Sequence, residues 1–329
     1  MKKISAAVYI IFTTLLNLSC EENFSPKTDF KEKYFLFCII QADGALKPST
    51  QFAVINRLYD VEGLDPSANT QNTGVSGACV LLSYKGKNFA MNEATYKREG
   101  RTGYDSSQVY YYCSNKELTP RPYEEVSVHA RLPKNILLTG STRVPEFIDL
   151  AYSYPFTHGI TTLIDKFLWG KSWKITWQSN NNYLFFPRLT LSYTAEYAVD
   201  TYHVSEEIPL RYINQNGKYS AIYPGYSYER NVSYDFDAID SVMKHISKGD
   251  SVKIKYKNFQ ITFTLKVFDK NLSKYYSGIH GSLDNYSIRF DESVYSNVNG
   301  GAGIVGSILN ISRTFELDTY YLRYFGYTP

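Results

Sequence analysis

The chain has no apolar run long enough to cross a membrane. Its longest such run, residues 4–18, follows Lys2 and Lys3 and carries no charge. A membrane-spanning helix needs about 20 apolar residues to cross ~30 Å of hydrocarbon, so this run is too short. A short basic start followed by such a run is typical of an export signal. Residues 1–19 are therefore predicted to be a signal peptide.

An Ala-x-Ala cleavage site is also missing after this run. Instead Leu16, Leu18 and Ser19 precede Cys20, a pattern that resembles a bacterial lipobox, in which the cysteine is acylated and becomes the mature N-terminus. Stable anchoring takes at least two lipid signals, and the two or three acyl chains of such a cysteine provide them. Cys20 is thus the predicted lipidation site, and the membrane is a predicted partner. The alternative is an unmodified secreted protein, because Asn17 stands where the motif usually has Leu, Val or Ile.

The residues after Cys20 predict where the anchored protein is found. Glu21 and Glu22 resemble the acidic signal that sends some envelope lipoproteins to the outer-membrane surface. The protein is predicted to lie in the cell envelope, anchored by lipid at the outer membrane. The sequence does not distinguish the periplasmic side from the surface side. Residues 20–32 are polar, contain Pro26 and are predicted to be a tether between lipid and fold.

A strong charge of either sign is absent. The formal net charge is +3, and Lys and Arg are dispersed without a basic tract, so nucleic acid is not a predicted partner. Aromatic residues are 16% of the chain and include 31 Tyr. Tyrosine suits strands, because one end of the side chain packs and the other reaches water. This composition indicates an exported, mainly β protein.

Cysteine is scarce as well. Besides Cys20 the chain has Cys38, Cys79 and Cys113, all in strand-like surroundings, and no Cys-x-x-Cys pair. Neither a zinc ribbon nor a redox motif is indicated. Three thiols allow at most one disulfide, which the envelope would permit. Buried free thiols, which behave as small hydrophobes, are the preferred interpretation, and the disulfide stays open.

Alternation of apolar and polar residues predicts strands through most of the chain. In residues 125–132 the even positions are apolar and the odd ones, including His129, are polar. A change of parity across residues 257–259 predicts a hairpin turn there. Turn residues separate the strands at short intervals, as in an all-β sandwich, and Pro145 marks a plausible domain boundary. The predicted strands cover residues 34–40, 51–56, 78–84, 109–113, 125–132, 189–199, 252–256 and 261–267.

Two short helices are predicted to interrupt this pattern. Residues 236, 239, 242, 243 and 246 are apolar and share one helical face, with Asp235 as a possible cap and Gly249 as a stop. A second helix follows Asp269, also a possible cap, and stops at Gly278.

Several segments together resemble an uncharacterised family of exported bacterial lipoproteins labelled domain of unknown function 4249. The segments are "CEENFSPK", "SQVYYYCSNKELTPRPYEEVSVHARLP", "TGSTRVP", "FDKNLSKYYSG" and "YSNVNGGAGIVGS". The resemblance covers nearly the whole mature chain and is most specific over residues 269–306. It implies two β domains: an immunoglobulin-like sandwich over residues 33–145, and a β-rich domain with two short helices over 146–329. It also implies a setting like that of partners of TonB-dependent outer-membrane receptors, and it supplies no catalytic residue.

Residues 301–306 match G-x-G-x-x-G, the dinucleotide fingerprint. That motif needs a strand before it and a helix after it, whereas "SILNISRTFELDTYYL" follows here and is strand-like. We therefore predict no nucleotide partner and no cofactor, and interpret the segment as a glycine-rich bend that allows close backbone approach.

All three tryptophans, Trp169, Trp173 and Trp177, are spaced by four residues. This spacing returns to one face of a strand. An exposed stripe would stack on sugar rings and bind glycans, whereas a buried one is part of a core. Both interpretations stay open, and the core is preferred.

The remaining patterns point to no chemistry. The five histidines have no metal-ligand spacing, and no G-x-S-x-G elbow is present, so we predict no metal site and no catalytic residues. A polar loop over residues 59–74 carries three carboxylates without EF-hand spacing and is predicted to be solvated rather than to bind calcium.

These observations favour a non-enzymatic binding or scaffold lipoprotein, an accessory of a TonB-dependent transporter. The alternatives are a glycan-binding surface lipoprotein and, less favoured, an envelope hydrolase.

Overall fold

The computed structural model describes residues 32–44, 47–58, 73–97, 107–152, 171–197, 200–215, 217–247, 250, 252–277, 295–317 and 319–328. It is mainly β, as predicted. In chain order its strands are β1 (Tyr34–Asp43), β2 (Gln51–Arg57), β3 (Cys79–Tyr84), β4 (Lys87–Ala90), β5 (Asn92–Lys97), β6 (Ser107–Cys113), β7 (Glu125–Arg131), β8 (Leu137–Arg143), β9 (Leu150–Tyr152), β10 (Ser172–Trp177), β11 (Phe185–Glu196), β12 (Thr201–Glu207), β13 (Arg211–Gln215), β14 (Lys218–Ile222), β15 (Asn231–Asp235), β16 (Tyr256–Phe268) and β17 (Ala302–Glu316). Its helices are α1 (Phe236–His245), α2 (Lys270–Ser277) and α3 (Thr319–Tyr324).

Eight strands form one long sheet, in the order β12-β11-β16-β17-β1-β2-β6-β5. Strand β1 pairs parallel with β17 and antiparallel with β2, so an early and a late strand lie side by side in the middle of the sheet. Both faces of β1 are covered, because Leu36, Cys38 and Ile40 contact one core and Phe37 contacts another. This explains the unbroken apolar run "YFLFCII", which is typical of a strand buried on both faces.

One half of the long sheet forms a sandwich with a second sheet. The second sheet has the order β4-β3-β7-β8, and its inward side chains share a core with β1, β2 and β6. In β7, Val126 and Val128 are fully buried, whereas Glu125 and His129 are exposed. The predicted alternation and the outward position of His129 are therefore confirmed.

The other half of the long sheet has a different cover. A three-stranded sheet, β15-β10-β9, packs with α1 and α3 against β11, β16 and the later part of β17. In β17, Val305 contacts the sandwich core, and Leu309 and Phe315 contact this second core from the same strand face. On the opposite face, Leu272 and Tyr275 of α2 join a third core near the middle of the sheet.

Strands from both sides of Pro145 belong to the long sheet: β1, β2, β5 and β6 precede this residue, and β11, β12, β16 and β17 follow it. The division at residue 145 therefore crosses a continuous hydrogen-bonded sheet, and two domains with these bounds stay a prediction.

The predicted hairpin turn over residues 257–259 is wrong. Strand β16 continues through this stretch, and its pairing register with β11 shifts here. Asn258 has a positive φ of 56°. An extra residue in one strand inverts which positions face inward beyond it, so a β-bulge explains the change of parity.

Two further stretches differ from the predicted strands. Residues Lys253–Lys255 form a 3-10 turn, and Val252 and Ile254 are 54% and 63% exposed instead of packing inward. The end of the chain, predicted to be strand-like, forms α3 instead. Tyr321, Leu322 and Phe325 are buried together because their spacing matches one face of a helix.

The two predicted helices are confirmed. Helix α1 buries Phe236, Ile239, Val242 and Met243, although Asp235 at its N-cap position makes no side-chain capping bond. Asp269 does cap α2, because its Oδ1 accepts a hydrogen bond of 2.8 Å from the Leu272 backbone N–H. The predicted stops, Gly249 and Gly278, lie outside the described residues.

No helix in the described ranges is long and apolar enough to span a membrane. The predicted signal peptide, Cys20, nearly all of the tether and most of the loop over 59–74 lie outside those ranges.

Cys38, Cys79 and Cys113 are all free. Cys38 and Cys113 are buried, which confirms their interpretation as small core residues, and burial raises the pKa of the Cys38 thiol to about 12. For Cys79, the first residue of β3, this interpretation is wrong, because the residue is exposed.

Candidate functional site

Three of the segments singled out in the sequence meet at one place in the fold. They are residues 139–145 at β8, residues 268–277 around α2, and residues 295–307 at the start of β17. They converge where β16 ends and leaves one edge of β17 open, near Val305. We call this meeting point the joint, because the two covered halves of the long sheet adjoin there.

Two asparagine side chains close the open edge of β17. The Asn297 amide accepts from the Val305 backbone N–H at 2.9 Å and donates to the Val305 carbonyl at 2.7 Å. It also donates to the Ser141 carbonyl of β8 at 3.0 Å. Asn271 donates to the same two carbonyls at 3.2 Å, and the Tyr295 hydroxyl donates to Asn271 Oδ1 at 2.7 Å. Side-chain amides thus pair with the edge as a neighbouring strand would.

Asp269 is the buried carboxylate of the joint, with only 2% of its surface exposed. The Thr142 hydroxyl donates to its Oδ2, and the Asp269 backbone N–H donates to the Ser307 carbonyl at 2.9 Å. Burial raises the pKa of this carboxyl to about 6, although the hydrogen bonds it accepts act in the opposite direction. Asp269 therefore links β8 and α2 through its side chain and β17 through its backbone.

The glycines of this region permit close packing. A Cβ on Gly303, whose φ is +118°, would lie 2.1 Å from the Leu36 carbonyl oxygen. On Gly306 it would lie 2.3 Å from the Leu272 side chain, and on Gly140 2.6 Å from that of Val305. Because β17 continues as a strand from Ala302, the segment lacks the helix a dinucleotide fingerprint needs, and its glycines are used for close backbone approach.

A cleft of about 770 Å³ opens beside the joint. One wall is the outer face of β7 and β8, where Glu125 lies opposite Arg143, Ser127 opposite Ser141 and His129 opposite Thr139. The other walls are the first turn of α2, the segment with Asn297 and Asn299, and a group that contains Tyr123, Asn181 and Tyr183. The cleft is thus lined by amides, hydroxyls and charges of both signs.

A second buried carboxylate supports the far wall. Glu146, 6% exposed, accepts hydrogen bonds from the Ser179 hydroxyl at 2.6 Å, the Asn180 backbone N–H at 3.1 Å and the Asn181 amide at 2.9 Å. Burial alone would raise the pKa of Glu146, but these hydrogen bonds lower it overall. Both buried carboxylates are therefore engaged in bonds that hold the cleft walls.

Two tryptophans of the predicted aromatic stripe are buried, whereas a sugar-binding platform needs exposed rings. Trp173 and Trp177 are 1% and 3% exposed. Trp173 lies edge-on to Phe315 at 5.4 Å between ring centroids, and Trp177 packs on Phe185 at the same distance. These two rings belong to the core and offer no open face to a sugar, while Trp169 lies outside the described residues.

The described residues contain no group of three or more His, Cys, Asp and Glu side chains that could hold a metal ion. His129 and His203 are exposed on different strands, and His158 and His280 lie outside the described ranges.

Sequence reasoning identified Asp269 only as a cap and missed Asn271, Asn297 and Glu146. The available signal was the family resemblance, which is most specific over residues 269–306, where the joint asparagines lie. Comparisons of the chain with protein-family models, with curated proteins and with solved structures each find no match.

Proposed function

We propose that this protein is a non-enzymatic binding or scaffold lipoprotein, anchored through Cys20 at the outer membrane, and an accessory of a TonB-dependent transporter. The observation that carries the binding role is the cleft beside the joint. Its walls come from segments far apart in the chain and are joined by hydrogen bonds, several of them buried. A preformed polar concavity is suited to binding, because its groups need little ordering when a ligand enters.

The carboxylates of the site favour binding over catalysis. A general acid or base must reach the substrate with its own proton or lone pair. Asp269 and Glu146 direct their oxygens to Thr142, Leu272, Ser179 and Asn181 instead. Their role in the proposal is to position the walls.

The architecture in this proposal is that of the family resemblance. Residues 33–145 form an immunoglobulin-like sandwich, and the two packed sheets over that range support this, since their inward residues share one core. Residues 146–329 form the second, β-rich part.

The cleft also suggests what kind of surface binds there. Asn299, His129 and the Glu125–Arg143 pair offer donors and acceptors at its rim. Such a rim pairs with exposed polar backbone and side chains, like those of a loop of a barrel protein. We therefore expect the transporter contact to include this cleft.

The test is crosslinking in cells with a photoreactive amino acid at position 129, in the cleft wall. The matched control carries the same group at position 96, an exposed position on β5. The expected result is a crosslink to a large outer-membrane barrel from position 129 only. Equal capture from both positions, or no barrel from position 129, contradicts the proposal.

Anchoring is tested separately by radiolabelled fatty acid. The natural chain is expected to incorporate label and to fractionate with the outer membrane, whereas Cys20→Ala should do neither. A labelled Cys20→Ala protein, or an unlabelled natural one, contradicts lipidation at this residue.

A further inference from the structure

Strand β12 forms one end of the long sheet. It has few of the features that protect an edge strand from pairing with another chain. Its only sheet neighbour among the described residues is β11. Its sequence, "TYHVSEE", has no Lys and no Pro, and its pairing with β11 continues over seven residues without a bulge. Charged side chains, especially lysines, prolines and bulges are among the devices that keep edge strands from pairing with another chain. Of these β12 has only the charges of Glu206 and Glu207, so its regular edge is a template for a further strand.

Two hollows lie along one face of this strand, both also lined by α1 or the residue directly after it. The first, of about 760 Å³, has Tyr202 and Val204 on the β12 side and Ile246 on the other. The second, of about 770 Å³, has Glu206 on the β12 side and Ser241 and His245 of α1 on the other. Strand and helix thus border a groove with two separate hollows.

The two hollows differ in chemistry. Tyrosines dominate the first, where Tyr197 and Tyr202 stand edge-on at 5.7 Å between ring centroids and are each about half exposed. One carboxylate, Asp200, also lines this hollow. The second hollow has three carboxylates, Glu206, Asp235 and Asp237, and none of its described lining residues is Lys or Arg, although Tyr212 and Tyr219 of the β13–β14 hairpin line it too. An aromatic or aliphatic side chain fits the first hollow best, and a cationic one fits the second.

The β12 residues that line the two hollows are spaced like those of an extended peptide. Tyr202 and Val204 line the first hollow and Glu206 lines the second, and Val204 and Glu206 are two residues apart, which is about 7 Å along a strand. Side chains on one face of an added strand recur at the same interval. One peptide therefore places residue p in the tyrosine hollow and residue p+2, or p−2 in the opposite direction, in the acidic hollow.

We infer that the groove between β12 and α1 binds an extended peptide segment of a partner protein by strand addition, with an aromatic or aliphatic residue two positions from a Lys or Arg. Main-chain hydrogen bonds to the β12 edge provide affinity, and the two hollows provide specificity. This inference deepens the proposed scaffold function and names a second contact, which shares no residue with the cleft beside the joint.

The test uses fluorescein-labelled nine-residue peptides and the full chain, with fluorescence anisotropy as the readout. The reference peptide alternates Thr and Val around a Tyr and a Lys two positions apart. N-methylation of one alternate set of its amides should abolish binding, whereas methylation of the other set should leave it unchanged, because only alternate N–H groups of a strand point to the same neighbour. Equal effects of both sets, or no saturation by any peptide of this pattern, overturn the inference.

Substitutions test the two hollows. Glu206→Lys should weaken the reference peptide about tenfold and strengthen, by a similar factor, a peptide with Asp in place of Lys. Tyr202→Ala should weaken the reference peptide about tenfold. Tyr96→Ala, on the opposite edge strand, is the control that should change nothing. Loss of binding in this control, or none in the groove variants, contradicts the assignment.

Sedimentation of the free chain completes the test. A concentration-dependent dimer that Glu206→Lys dissolves would mean that a second copy occupies the edge, which overturns the peptide assignment. A monomer that binds the reference peptide supports it. The peptide-binding assay needs neither lipid nor transporter. Its outcome is therefore independent of the crosslinking result at position 129.

Discussion

The two halves of the long sheet are covered in different ways, and their cores differ accordingly. The sandwich half interleaves mostly aliphatic side chains from two sheets, such as Leu36, Leu82 and Val128. The other half, which we call the aromatic half, buries many more aromatic rings among its aliphatic side chains, such as Trp173, Phe263 and Tyr327. Aliphatic side chains bury no polar atom, whereas Tyr and Trp each bring a group that needs a hydrogen-bond partner.

The difference shows in the polar atoms that each cover buries. In the sandwich, the Tyr111 hydroxyl donates to the Val75 carbonyl at 2.7 Å and accepts from the Ala78 backbone N–H at 3.1 Å. In the aromatic half, the Tyr234 hydroxyl and the Trp177 indole N–H have no hydrogen-bond partner among the described residues, and on the sandwich side the same holds for Asn56 Oδ1 of β2. Two other buried tyrosine hydroxyls of the aromatic half are bonded, to Asp240 and to the Met243 carbonyl, so the unpaired rings are particular positions in that core. Between the halves, the joint relies on hydrogen bonds as well as packing.

The largest effect is expected where both halves depend on one backbone contact. Gly303→Ala places a Cβ 2.1 Å from the Leu36 carbonyl, at a φ of +118° that L-residues avoid. We expect a loss of at least about 4 kcal/mol in the free energy of unfolding, with both halves affected together because β1 and β17 serve both cores. Urea unfolding, followed by tryptophan fluorescence and by circular dichroism, measures it.

The matched control is Gly217→Ala in the turn between β13 and β14. This glycine also has a positive φ, +82°, but nothing lies within 4 Å of the added Cβ. Its cost should be about 1 kcal/mol. If Gly303→Ala costs no more than this control, the close approach of β1 and β17 is not what holds the halves together.

The two buried carboxylates, Asp269 of the joint and Glu146 behind the cleft wall, should contribute to stability with opposite pH dependences. The pKa of Asp269 is raised to about 6 by burial, so the folded chain binds its proton more tightly than the unfolded chain does. Its contribution to stability therefore falls as pH rises from about 4 to 6. Asp269→Asn removes this dependence. The free energy of unfolding of the variant minus that of the natural chain should therefore increase by about 2 kcal/mol as pH rises across that interval.

Glu146→Gln is the partner experiment. Hydrogen bonds lower the pKa of Glu146 despite its burial, so its contribution is present above the unfolded pKa of about 4.3 and is lost as pH falls through the lower folded value. The Gln variant should therefore lose stability relative to the natural chain as pH rises toward neutrality. Urea midpoints over a pH series measure both variants, and slopes of the same sign would contradict the assigned environments.

Local patterns in the sequence were sufficient for the parts of the fold that depend on near neighbours. Alternation in β7, the buried face of α1 and the cap at Asp269 each involve residues within one element. The bulge at Asn258 was missed because a parity change is equally compatible with a turn, and only pairing with β11 distinguishes them. The strand-like end of the chain formed α3 because packing on the aromatic core selected the helical face.

The contacts of the joint could not be predicted from local patterns, for a different reason. Thr142 is 127 residues from Asp269 and 165 from Ser307 in the chain. No periodicity connects residues so far apart, and Asn271 and Asn297 resemble ordinary loop residues until the open edge of β17 is seen. The tryptophans show the same limit, because their spacing fits an exposed stripe and a buried one equally well.

The smallest effect is expected when one tyrosine hydroxyl is removed from each core and the changes in the free energy of unfolding are compared. Tyr111→Phe removes a hydroxyl with two backbone partners and leaves the Val75 carbonyl and the Ala78 N–H without it, so it should lose about 1 kcal/mol or slightly more. Tyr234→Phe removes a fully buried hydroxyl that has no partner among the described residues, and keeps the ring. It should be neutral or stabilise by up to about 1 kcal/mol, since burying an unpaired polar group costs free energy. Both variants keep the three tryptophans, so one fluorescence assay of urea unfolding compares them directly. A loss at Tyr234→Phe equal to that at Tyr111→Phe would mean that the Tyr234 hydroxyl is bonded in solution, and that the aromatic cover satisfies its polar atoms as fully as the sandwich does.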